Sequence, residues 1–95
     1  MAIAAYFHPK GMTLAQFEDI HRRLAEQGDP LEEHRLHHSC FGEDGDLMVY
    51  DIWDSPESFQ KFGEVLMPIL AEVGVDPGEP AVMPVHKIIQ GATTL

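Results

Sequence analysis

The sequence predicts an α+β sandwich of element order βαββαβ, in which a four-stranded antiparallel sheet carries both helices on one face. Three observations lead there. The run Leu47-Met48-Val49-Tyr50-Asp51-Ile52-Trp53 is β-branched, aromatic or apolar apart from one carboxylate, and it leads directly into the helix start Ser55-Pro56. Two stretches, one after Thr13 and one after Ser55, place apolar residues at helical spacing. Further extended runs stand before the first helix, before residue 47 and after the second helix.

Taken in order, Ala2 to His8 is a short apolar run closed by Pro9-Lys10-Gly11, and so a first strand. Thr13-Leu14-Ala15-Gln16 has the form of a capping box. Leu14, Phe17, Ile20, His21 and Leu24 then make one helix face, until Gly28-Asp29-Pro30 stops it. Glu32 to Phe41 reads as a second strand, with His34, Leu36, His38 and Cys40 on one face. The turn Gly42-Glu43-Asp44-Gly45 joins it to the strand 47–53 as a hairpin. A two- or four-residue loop centred there sets Leu36 opposite Asp51 and His38 opposite Val49, and a bulge would shift that register.

The second helix is expected over 56–73. Phe59, Phe62, Leu66, Ile69 and Val73 form a stripe whose register survives Pro68, with a kink that frees the carbonyl of Glu64. Gly74 ends it, 75–80 is a loop, and 81–89 is the last strand. Pro84 cannot donate to a ladder, so this strand belongs at a sheet edge. The order is that of the split βαβ, ferredoxin-like pattern. Strand 47–53 is apolar on both faces, yet two helices cover only one. The other face is best buried against a second copy of the chain, which makes a homodimer the expected state.

The 95 residues make a single domain, 1–95, with 44% hydrophobic and 23% charged residues, as in a soluble globular chain. A net charge of −10 with only 6 Lys+Arg excludes the basic footprint that nucleic acid or an anionic membrane surface requires. One cysteine, Cys40, allows no internal disulfide. Met1 to Tyr6 lacks the positive region of a secretory leader, so a cytoplasmic location is expected. No glycine-rich phosphate motif is present, and no cofactor is expected. His34, His37 and His38 suggest a metal, but on a strand 34 and 38 stand ~13 Å apart and 37 points away. No metal is expected either.

The junction Asp51-Ile52-Trp53-Asp54-Ser55-Pro56-Glu57-Ser58-Phe59, with the element order and length, resembles the dimeric α+β barrel superfamily, and within it the small antibiotic-biosynthesis-monooxygenase-like domains. The resemblance implies a pocket between the sheet and the two helices of each protomer. It also implies functions such as cofactor-independent oxygenation of aromatic polyketides, haem degradation, polyketide cyclisation, or no activity at all. One position departs: many such domains carry a histidine nine residues after the tryptophan, where this chain has Phe62. That removes the histidine that haem ligation from the helix would use.

Asp51 lies among apolar neighbours, where a bare carboxylate is costly, so it is read as a proton acceptor for catalysis, against a structural hydrogen-bond acceptor or a position that opens to water at the sheet edge. His38 shares its sheet face by parity, and an Asp–His pair fixes an imidazole tautomer. His86, on the last strand with Val82 and Ile88, is the third candidate for catalysis. Tyr6, His21, Tyr50, Trp53, Phe59 and Phe62 are candidates for the wall of a cavity that takes a small apolar or aromatic molecule. The expected function is thus a cofactor-free monooxygenase-like or cyclase-like enzyme. Against it stands a non-catalytic binding or assembly protein in which the same residues are structural.

Overall fold

A computed structural model describes residues 1–91 of the chain. Its elements are β1 (Ile3–Phe7), α1 (Leu14–Glu26), a short 3-10 turn (Glu32–His34), β2 (Arg35–Glu43), β3 (Asp46–Trp53), α2 (Pro56–Val73) and β4 (Ala81–Pro84). All neighbouring strands are antiparallel, in the order β2-β3-β1-β4, so β4 and Pro84 lie at a sheet edge.

Local chemistry sets the helix starts. The Thr13 side chain accepts from the Gln16 N–H while the Gln16 side chain accepts from the Thr13 N–H, closing the capping box. Ser55 accepts from the Ser58 N–H at 3.1 Å, and Pro56 takes the first helical position. α2 runs unbroken through Pro68 to Gly74, which caps it with φ 84°.

The odd-numbered residues of β1 and β3 face both helices. Ile3, Ala5, Leu47, Val49 and Trp53 form one core with Ile20 and Leu24 of α1 and Phe62, Ile69 and Leu70 of α2. The even-numbered residues make the other sheet face, which no helix among the described residues covers. Phe41 and Met83 on that face, and Leu36 at its margin, are exposed.

The structure differs from the sequence reading in three places. Residues 32–34 are a 3-10 turn, so β2 begins at Arg35. The hairpin loop is the pair Asp44-Gly45, because β2 continues to Glu43 opposite Asp46; this moves the register by two and sets His38 directly opposite Asp51. The last strand stops at Pro84 rather than residue 89. β1 begins at Ile3 opposite it, and among the described residues the only ladder-like bond beyond is Val85 N–H to the Ala2 carbonyl at 3.0 Å.

Candidate active site

A cavity of about 60 Å³ lies between the sheet and the helices. Its wall is mostly aliphatic and aromatic, from residues such as Phe7, Met12, Ile20, Leu24, Leu66 and Leu70. Four polar side chains interrupt it: His21, Arg35, His38 and Asp51. A second compartment of about 220 Å³ adjoins it under the loop after α2 and shares Phe7, Phe62, Leu66, Leu70 and Pro77 with the first.

β3 brings Asp51 into the core, where only 4% of the residue is exposed. A buried carboxylate requires a strong donor, and β2 supplies it. As cross-strand partner, His38 sets its Nδ1 2.5 Å from Asp51 Oδ1. The Nε2 of the same ring lies 3.1 Å from His21 Nε2. Phe17, one turn earlier on α1, stacks parallel to the His38 ring at 5.9 Å and lies 4.4 Å from the His21 ring. The sheet thus fixes one end of the imidazole and the helix fixes the other.

An ionised carboxylate accepts only, so His38 Nδ1–H donates to Asp51. Its Nε2 is then the acceptor, and His21 Nε2–H donates to it. Burial holds His21 below the ordinary histidine range, reinforced by the adjacent His38 and the positive Arg35, which keeps His21 in the neutral form this bond needs. The result is a chain from a buried carboxylate through a fixed imidazole to a second imidazole on the roof of an apolar cavity. Such an arrangement can accept a proton from a bound acid.

Arg35 was not among the sequence candidates. Simple alternation sends it to the open face with His37. The register shift between Arg35 and His37 makes Leu36 an extra residue, and Arg35 turns inward opposite Trp53, its guanidinium carbon 5.9 Å from the indole ring. A one-residue bulge leaves no mark in the hydrophobic pattern.

The remaining candidates divide. Phe62 borders both compartments, and Phe59 the second. Trp53 is wholly buried, 4.7 Å from the Phe62 ring, and belongs to the core rather than to the cavity wall. Tyr6 and Tyr50 are cross-strand partners on the open face, away from the cavity. His86 lies past the end of β4, exposed, so the structure does not bring it to His38 and Asp51. The three histidines near β2 go to separate partners: His34 Nδ1 to Asp54 at 2.7 Å, His37 to Ser39, and His38 to Asp51. The His34 bond, then that from Ser58, holds the Asp54 carboxyl below its ordinary range. Among the described residues no group of three His, Cys, Asp or Glu is arranged to hold a metal ion. Burial raises the Cys40 thiol, so it is not a poised nucleophile.

Comparison with known proteins adds the fold. The chain matches no protein-family model and no curated protein. It does match solved structures. One is a putative antibiotic biosynthesis monooxygenase from Deinococcus radiodurans, with TM-score 0.58 and 12% identity over 98% of this chain and 100% of that one. Another is SnoaB, a cofactor-independent oxygenase from Streptomyces nogalater, with TM-score 0.59 and 14% identity over 95% and 96%. A third is a conserved protein from Methanosarcina mazei Go1, with TM-score 0.57 and 16% identity over 87% and 89%. The fold expected from the sequence, a ferredoxin-like α+β sandwich, is the one the chain adopts, and it is similar to the fold of these structures. Among the described residues no helix is long and apolar enough to cross a membrane.

Proposed function

We propose that the chain binds a small, flat, mainly apolar molecule between sheet and helices and removes a proton from it, with His38 as the base. Asp51 holds the tautomer in which Nε2 is the accepting nitrogen of His38, and it stabilises the imidazolium that forms once the His21 N–H gives way to the ligand. The observation that carries this reading is the Asp51–His38 bond in the wall of an otherwise apolar cavity. Proton loss from a phenol or a carbon acid leaves an electron-rich anion. In monooxygenase chemistry that anion reduces dioxygen itself, one oxygen atom entering the product and the other leaving as water, so no redox cofactor is needed. In cyclase chemistry it attacks a carbonyl of the same molecule. The similarity in fold to SnoaB, described as a cofactor-independent oxygenase, supports the oxygen route. A second copy of the chain is the proposed partner, seated on the open sheet face where Phe41 and Met83 are exposed.

The test is to present small naphthols and enolisable ketones in air-saturated buffer, following oxygen uptake by electrode and solvent-deuterium incorporation by mass spectrometry. Either activity, abolished by His38→Gln, supports proton abstraction. Binding without either activity refutes it.

One observation favours a non-catalytic reading: His38 Nε2 is already paired with His21. In that reading the three polar groups form a closed structural network beneath a binding cavity. His21→Ala separates the two. Removing the partner frees the base and preserves turnover if His38 is catalytic, whereas a purely structural network loses thermal stability and has no turnover to preserve.

A further inference from the structure

Arg35 is a cation in the wall of an apolar cavity, and the proton-abstraction reading gives it no task. Its side chain is only 14% exposed. Among the described residues its guanidinium makes one hydrogen bond, from Nη2 to Asp29 Oδ2 at a long 3.3 Å, although it carries five N–H donors. Trp53 supports its face, and the bulge at Leu36 turns it inward. The Asp29 that anchors it has φ 47°, a left-handed conformation unusual outside glycine. The backbone is therefore held in a costly shape where it positions this carboxylate.

Resting on the proton-abstraction reading, we propose that Arg35 selects the ligand by pairing with a ligand oxygen that becomes anionic as His38 takes up the ligand's proton. The charges of the site set the ligand class. Asp29 and Asp51 already outnumber Arg35 there, and the whole chain carries −10. A preformed anion such as a carboxylate enters against that field. A neutral weak acid does not: its proton moves to a histidine, its oxygen moves to Arg35, and the net charge of the site is unchanged. The ligand is thus a phenol or an enol, with its acidic oxygen toward Arg35 and its ring against the aliphatic wall. In the balanced step, one O–H bond of the ligand breaks, one N–H bond forms on imidazole, and the electron pair of the broken bond stays on the ligand oxygen.

Three probes test this: para-nitrophenol, its uncharged ether para-nitroanisole, and para-nitrobenzoate, which arrives already charged. Binding is measured by calorimetry, and the ionisation of bound nitrophenol by its visible absorption, at a mildly acidic pH where free probe is mostly protonated. The proposal expects wild type to bind nitrophenol as the phenolate and more tightly than nitrobenzoate. Arg35→Met then weakens nitrophenol by about tenfold or more, the loss of one charge-assisted bond. It leaves bound probe protonated and nitroanisole affinity unchanged, which also shows that the variant is folded. Arg35→Lys restores part of the phenolate signal. Equal loss of both neutral and acidic probes in Arg35→Met, no loss of either, or tighter nitrobenzoate binding overturns the proposal and leaves the cavity intact. Failure of wild type to bind any probe overturns the proposal together with the cavity reading beneath it.

Discussion

Asp51→Asn separates a catalytic carboxylate from a structural one. The side chain keeps its size and an acceptor oxygen but loses its charge at a position where the residue is 4% exposed and 2.5 Å from His38 Nδ1. A charge-assisted bond contributes ~1.5–3 kcal/mol and a neutral one ~0.5–1.5, so the bond weakens by about 1–2 kcal/mol. Removing a buried charge returns desolvation energy of similar size. Stability should therefore change by less than about 1 kcal/mol, a Tm shift of only ~4–8 °C at most in a domain of this length. Turnover should change far more. The amide NH₂ can donate to Nδ1, which reverses the tautomer and puts the proton on the nitrogen that must accept. The imidazolium formed in the transition state also loses its counter-ion, worth ~4 kcal/mol at 4 Å for an effective dielectric constant of about 20. Together these predict a fall of roughly 10²–10⁴-fold. The assay is solvent-deuterium incorporation into a carbon acid that wild type turns over, with melting followed in parallel. A folded Asp51→Asn within about threefold of the wild-type rate, a difference of under ~1 kcal/mol, would refute the reasoning. So would a large loss of Tm with ligand binding intact.

Other predictions follow from single features. Because His21 is held below its ordinary value, first by burial, the unfolded chain binds more protons in acid. Stability should be present above about pH 6.5 and decline as pH falls below it. Tm measured across that window should flatten in His21→Gln, and an unchanged slope in the variant would assign the effect elsewhere. Gly42 has φ 110°, and an added Cβ would lie 2.7 Å from the Asp46 carbonyl oxygen and 2.8 Å from Met48 Cε. Gly42→Ala should cost ~1–3 kcal/mol and lower Tm by several degrees in calorimetry; an unchanged Tm contradicts the hairpin geometry. Sedimentation at micromolar concentration should show a dimer that Phe41→Glu dissociates, and a wild-type monomer there would remove the argument from the open sheet face.

The particular residues show what a sequence can display. Thr13 with Gln16 and Ser55 with Pro56 marked both helix starts because capping is local chemistry between residues a few positions apart. The stripe from Phe59 to Val73 carried the reading across Pro68. His38 and Asp51 were placed on one sheet face by parity alone, and a register shift of two residues preserves parity. What depended on distant contacts was not legible. The Asp44-Gly45 loop moved His38 from diagonal to directly opposite Asp51. The bulge at Leu36 brought in Arg35, and strand pairing ended before His86. His21 read as a candidate for the cavity wall, but its partner was hidden, since only the packing of α1 over β2 sets its ring 3.1 Å from His38. Tyr6 and Tyr50 were drawn to the cavity by their aromaticity, but alternation placed them on the open face.

The central claim is that Asp51 fixes the tautomer of His38 and that His21 closes the other end of its ring. A long-range ¹H–¹⁵N correlation spectrum of the histidine rings, recorded with detection of nitrogen–nitrogen coupling across hydrogen bonds, tests both halves at once. The account predicts His38 protonated at Nδ1, with its Nε2 coupled to a protonated Nε2 of His21. A His38 ring protonated only at Nε2, with no coupling to His21, would contradict it.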